Sequence, residues 1–175
     1  MKALARGDEP AAWPQALLEA IEGIAARRRE AGELGDERAL AAEAQAHLHE
    51  GHPADIAYVL ERLPLDDRLW VWSLVRSDHE GEILLEVSDA VRDTLLEDMD
   101  SAQIVAATQN LDADEIADLA PDLPRDVVQD IIESQDVEDR AELQAALSYA
   151  EGTVGALMDF DVVSIRDDVT CEVAL

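Results

Sequence analysis

A twelve-residue period across residues 52–147 constrains this chain more than any other feature. Consecutive segments begin at residues 52, 64, 76, 88, 100, 112, 124 and 136, and most of these first positions hold a helix-starting or turn residue. Positions five, eight, nine and twelve follow an i, i+3, i+4, i+7 spacing, which places them on one stripe of a helix. Position eight is apolar in every segment: Val59, Val71, Ile83, Leu95, Ala107, Leu119, Ile131 and Leu143.

Such a period predicts an all-α fold. A helix of two to three turns is unstable alone in water, so each segment must pack against its neighbours. Two segments form a hairpin that recurs every 24 residues, as from Pro64 to Ser88. We therefore expect a superhelical solenoid of short antiparallel helices, of either hand. Pro121 interrupts the sixth segment, so that helix should end near Leu119 or Ala120.

The regions outside the repeat do not follow the twelve-residue period. Residues 1–51 predict leader helices, one from about Pro14 to Arg29 and a second capped by Asp36, either docked on the repeats or forming a mobile arm. Residues 148–175 lose the period and predict a hinge, then a β-branched strand and a helix start. A strand and helix start cannot bury their own edge, which favours a fragment of a longer protein. The expected domains are 1–51, 52–147 and 148–175.

The charge narrows the classes of partner. Thirteen Lys and Arg residues against 41 Asp and Glu give a net charge of −28. This excess argues against nucleic acid and against anionic membrane surfaces, both of which attract basic clusters. It favours metal ions or basic proteins, although general salt adaptation gives the same composition. The chain has one cysteine, Cys171, and no apolar run of membrane-spanning length, so we expect a soluble chain in a reducing cytosol with no direct membrane insertion.

Four segments, in order, carry a resemblance to a known family. They are HPADIAYVLERLP at 52–64, LDADEIADL at 111–119, YAEGTVGALM at 149–158 and VVSIRDDVTCEVAL at 162–175. Together they resemble the N-terminal cytosolic region of MgtE-type magnesium transporters. The last two resemble the junction and the opening strand and helix of that family's first CBS domain.

The resemblance implies a function. Members of that family are homodimeric magnesium channels of the bacterial cytoplasmic membrane, not enzymes. Their N domain lies at the cytoplasmic face of the inner membrane and has the protein's own CBS and transmembrane domains as partners. Magnesium, bound weakly as a regulatory ion, bridges acidic surfaces between these domains and closes the pore. We therefore expect this chain to be a magnesium-sensing regulatory domain.

Three acids are candidate magnesium ligands. The resemblance places the bridging acids at Asp114 and Asp118, with Glu82 as a further one. Asp114 and Asp118 are four residues apart, which puts both carboxylates on one face of the sixth helix. Magnesium takes oxygen ligands and keeps several waters, so one or two carboxylates from each surface suffice. Without the resemblance, all three acids would be interpreted as solvated surface charges.

Other functions have less support. Short helical repeats also resemble the middle region of flagellar motor switch proteins, which would make the chain a protein-interaction scaffold. Its histidines, His47, His49, His52 and His79, do not have the spacing of a transition-metal site. No phosphate-binding loop or catalytic triad pattern is present in the sequence, so no enzyme is predicted.

Overall fold

The computed structural model describes residues 12–32, 36–149, 153–155 and 158. Within these ranges the chain forms ten α-helices and no strand, so the predicted all-α class is confirmed there. The predicted strand and CBS start at the carboxyl end lie outside the described residues. The helices are α1 Ala12–Ala31, α2 Glu37–Leu48, α3 Pro53–Arg62, α4 Leu65–Trp72, α5 Ser77–Glu86, α6 Asp89–Asp98, α7 Ser101–Ala107, α8 Ala113–Leu119, α9 Arg125–Ser134 and α10 Val137–Ala146.

Helices α3 to α10 follow the twelve-residue period. Their first residues are 53, 65, 77, 89, 101, 113, 125 and 137, so position one of every segment is the residue just before a helix. Several of these residues cap the helix that follows. The side chains of His52, Asp100 and Asp136 each accept a hydrogen bond from a backbone N–H of the first turn, which satisfies a donor that the helix leaves free.

The predicted apolar stripe forms the core. Every position-eight side chain, from Val59 to Leu143, is at most 2% exposed. One hydrophobic cluster runs from Leu17 in α1 to Leu143 in α10. Contacts recur at intervals of two helices: α1 with α3, α3 with α5, α5 with α7, α7 with α9, and likewise α4 with α6 and α8 with α10. Along the odd-numbered helices, packing therefore repeats every two segments, at the 24-residue spacing.

The leader helices are docked on the repeats. Helix α1 contacts both α2 and α3, and it contributes the fully buried Leu17 and Ile21 to the core. Asp36 caps α2 as predicted, because its Oδ1 accepts a hydrogen bond from the Ala39 N–H at 3.1 Å. Of the two alternatives for this region, the structure shows a docked pair rather than a mobile arm across the described leader residues.

Two helices in the middle of the repeat are shorter than the others. Helix α8 ends at Leu119 and passes into a 3₁₀ turn, Ala120–Asp122, which confirms the predicted effect of Pro121. Helix α7 also ends early, at Ala107, and a 3₁₀ turn follows at Thr108–Asn110. None of the helices in the described ranges has the length and apolar character needed to cross a membrane.

Candidate functional site

Helix α8 carries the two aspartates predicted to bind magnesium. Its first turn is fixed by a capping box, in which the Asp112 N–H donates to Glu115 Oε2 at 2.9 Å. This hydrogen bond fixes the beginning of α8 directly after Asp112, which lies two residues before Asp114. Asp118 then lies one turn further along the helix. The sequence around 112–118 therefore sets the spacing of the two carboxylates.

The two aspartates lie outside the core. Ile116 and Leu119 of the same helix are buried, whereas Asp118 is exposed and Asp114 is half-buried. Neither aspartate forms an ion pair with another residue in the described part of the chain. Two like charges at i, i+4 repel each other mildly, and a cation near them would relieve that repulsion.

Glu82, the third predicted ligand, lies on a different helix. It is exposed on α5, and α5 contacts α8. The structure does not gather the three acids into one cluster: among the described residues, no group of three or more His, Cys, Asp or Glu side chains could hold a metal ion. The three acids thus belong to neighbouring helices without forming a closed site.

The acid that follows α8 is already neutralised. Arg92 of α6 donates from Nη1 to Asp122 Oδ2 at 2.7 Å, in the 3₁₀ turn after the helix. Arg92 is largely buried, which makes this pair more effective than a fully exposed one. Among the described residues, Asp114 and Asp118 of α8 therefore form no ion pair, whereas Asp122 after the helix does.

Two of the four histidines have structural partners. His52 Nδ1 accepts a hydrogen bond from the Ala54 N–H at 3.3 Å and so caps α3. His49 Nδ1 lies 3.2 Å from Nη1 of Arg76, a fixed cation that opposes a metal ion at that nitrogen. The Nδ1 atoms of these two histidines are therefore already engaged.

A buried carboxylate between α1 and α4 was not predicted from the sequence. Asp67 is 2% exposed, and its Oδ2 forms an ion pair with Nη1 of Arg29. Its Oδ1 is buried without a hydrogen-bond partner among the described residues. In the sequence, Asp66-Asp67 indicates only the acidic start of a helix. The available signal was the Arg27–Arg29 run, the one basic run in an acidic chain, which needed an acidic partner.

The comparison with protein families gives one match. A family model described as the MgtE intracellular N domain matches residues 51–152, more than half of the chain. The match begins one residue before the first repeat segment and extends past the last, so it includes Glu82, Asp114 and Asp118. No curated protein matches the chain.

Proposed function

Because the chain belongs to the family of MgtE intracellular N domains, we propose that it is the magnesium-sensing regulatory part of a magnesium transporter. Family membership makes it a cytosolic domain of such a transporter. Sensing and pore closure go further and are our proposal. The family match also favours this function over a flagellar motor scaffold and over an enzyme.

The observation that carries the proposal is the acidic surface of α8. Asp114 and Asp118 are one turn apart, outside the core, on a helix held in place by the buried Ile116 and Leu119. Magnesium retains much of its water shell and binds through few carboxylates from each surface. We infer that α8 supplies part of a site that another domain completes, with Glu82 of the adjacent α5 as a weaker contributor. Binding to this chain alone should be weak.

The remaining features of the proposal follow from the same family. We propose that the stacked helices wind as a superhelical solenoid and that the residues after 148 lead into a CBS domain. The partners are the CBS and transmembrane domains of the same protein, in a homodimer at the cytoplasmic face of the inner membrane. At high magnesium the ion bridges these domains and the pore closes; at low magnesium the acids repel and the domains separate.

Limited proteolysis of the whole transporter tests the bridging. We expect about 10 mM MgCl₂, compared with NaCl of equal ionic strength, to slow cleavage within residues 148–160, because bridged domains shield the junction. The Asp114→Asn and Asp118→Asn double variant should lose this protection and keep its helical circular dichroism. Glu82→Gln should lose less of it.

A matched pair on α9 provides the control. Asp126 and Asp130 are both exposed and also lie four residues apart, so changing both to Asn removes the same charge at the same spacing. This control variant should keep the protection by magnesium. Equal cleavage with and without magnesium in the unchanged transporter would contradict the proposal.

A further inference from the structure

Arginine occupies position five in three of the even-numbered repeat segments: Arg68, Arg92 and Arg140. Each guanidinium donates hydrogen bonds to backbone carbonyls at the end of the preceding helix, in the same pattern. Its Nε donates to the carbonyl eight residues earlier, on Leu60, Leu84 and Ile132, at 2.8, 2.7 and 3.0 Å. Its Nη2 donates to the carbonyl five residues earlier, on Leu63, Val87 and Gln135, at 3.1, 3.3 and 2.9 Å.

These contacts have a physical reason. The last four carbonyls of a helix have no partner within it, and they lie at the negative end of the helix dipole. A guanidinium satisfies several of them at once and supplies the matching positive charge. In three of the four repeat hairpins, the turn between the odd-numbered helix and the next even-numbered helix therefore binds a guanidinium.

The sixth segment departs from this pattern. Position five is Ile116, and the preceding helix, α7, ends early in the 3₁₀ turn at Thr108–Asn110. A cavity of about 220 Å³ lies beside Ile116. Leu111, five residues before Ile116, lines it and is the counterpart of Leu63 in the second segment. Gln109, Asn110, Gln135 and Asp139 also contribute to the lining.

The cavity lining also includes a carboxylate at a position that the repeat defines. Arg68 Nη1 lies 3.4 Å from Oγ1 of Thr94. Thr94 belongs to α6 and stands 26 positions after Arg68 in the sequence. The residue 26 positions after Ile116 is Glu142, which lines the cavity from α10. Since α4 contacts α6 as α8 contacts α10, Glu142 is the counterpart of Thr94. A carboxylate there is a stronger guanidinium acceptor than a hydroxyl.

We propose that this cavity binds the guanidinium of an arginine side chain supplied by a partner protein. The three equivalent sites hold the chain's own guanidinium. Here the Thr108 carbonyl, the counterpart of Leu60, already accepts from the Leu111 N–H, whereas Leu111 and the added Glu142 line a cavity where an apolar side chain replaces the arginine. A guanidinium has four heavy atoms, and at about 30 Å³ for each water-sized group it fits within the cavity. The proposal does not depend on magnesium sensing.

Binding of small arginine derivatives to this chain tests the proposal. We expect N-acetyl-arginine amide, titrated at physiological salt, to shift the backbone amide NMR signals of residues 109–112 and 139–143 in a saturable way. N-acetyl-citrulline amide, which lacks the charge, and N-acetyl-lysine amide, which lacks the planar fork, should bind about fivefold more weakly or less. Ile116→Arg should abolish the shifts by supplying the repeat's own guanidinium.

Two further variants keep the test decisive if Ile116→Arg fails to fold. Glu142→Gln should weaken arginine binding about fivefold, because it removes the charged acceptor. Glu133→Gln, which removes one charge from an exposed position on α9, should leave the affinity unchanged. Equal weakening by the two variants, equal shifts with lysine, or the same shifts with MgCl₂ alone would overturn the proposal.

Discussion

At the scale of single residues, the least expected feature is the Arg29–Asp67 pair between the leader and the repeats. Burying a carboxylate is costly unless a cation and hydrogen bonds compensate it. Arg29 supplies the cation for Oδ2, while Oδ1 is buried without a partner among the described residues. This pair links α1 to α4, so it contributes to holding the leader in its docked position.

Replacing Arg29 should therefore destabilise the domain. We expect Arg29→Gln to lower the free energy of unfolding by about 1–3 kcal/mol, because it leaves Asp67 buried with no cation. Arg38→Gln, on the exposed surface of α2, should change it by no more than about 0.5 kcal/mol. Chemical denaturation measures both values. A loss for Arg29→Gln no larger than that for Arg38→Gln would show that the pair does not stabilise the docked leader.

Glu80 gives a prediction for pH dependence. It stands at position five of the third segment, where the first and fifth segments have Ile56 and Ile104, and burial raises its pKa above the ordinary 4.5. A raised pKa means that the folded state holds this proton more tightly than the unfolded state. The charged form at pH 7 therefore destabilises the fold, and this penalty disappears as the pH falls through the raised pKa.

Glu80→Gln should accordingly be slightly more stable than the unchanged chain at pH 7. Solvent screening of this half-buried side chain limits the gain to no more than about 0.5 kcal/mol. The difference should shrink as the pH falls through the raised pKa, because the glutamate of the unchanged chain then takes up its proton. Glu86→Gln, exposed on the same helix, should show neither effect. Denaturation curves at several pH values measure this. An advantage of Glu80→Gln that stays constant with pH would mean that burial of the charge is not its cause.

At the scale of helices, the sequence predicted where each helix begins but not every contact it makes. Position eight is buried in every segment because the apolar stripe of each short helix is the face that packs against neighbouring helices. Position five was assigned to the same stripe, yet Arg68, Arg92 and Arg140 use it to cap the preceding helix. The period alone cannot show this, since it gives no position for the carbonyls of a neighbouring helix.

For the candidate site, too, the sequence predicted positions along a helix but not contacts between helices. The spacing of Asp114 and Asp118 placed them on one helix, and the structure places that helix at Ala113–Leu119 with Asp118 exposed. Burial of Asp67 could not be predicted, because its neighbours in sequence indicate only a helix start. Its partner, Arg29, is 38 residues away, and only the packing of α1 brings the two together.

Two glycines test how closely the helices approach each other. A Cβ at Gly81 of α5 would clash with the Ala107 carbonyl oxygen of α7, whereas a Cβ at Gly23 of α1 would have nothing within 4 Å. Gly81→Ala should therefore destabilise the domain by about 1–3 kcal/mol, because backbone must move. Gly23→Ala should stabilise it by about 0.5–1 kcal/mol, because alanine favours a helix interior. Thermal melts of both variants measure this, and equal changes would contradict the close stacking of α5 on α7.

At the scale of the whole molecule, a continuous apolar core supports a surface with a net charge of −28. Charge of this size repels itself and attracts divalent cations from the surroundings. We propose that the fold makes this general attraction local at α8, where two carboxylates that form no ion pair among the described residues are held one turn apart. General salt adaptation alone would make all acidic surfaces equivalent, so a comparison of α8 with α9 separates the two explanations.

The most direct test of magnesium sensing measures magnesium flux through the whole transporter in liposomes, with the magnesium concentration on the cytosolic side varied. Flux through the unchanged protein should fall as this concentration rises through the millimolar range. The Asp114→Asn and Asp118→Asn variant should need about fivefold more magnesium to close. The Asp126→Asn and Asp130→Asn variant should close as the unchanged protein does. Identical closing curves for all three proteins would contradict a sensor on α8.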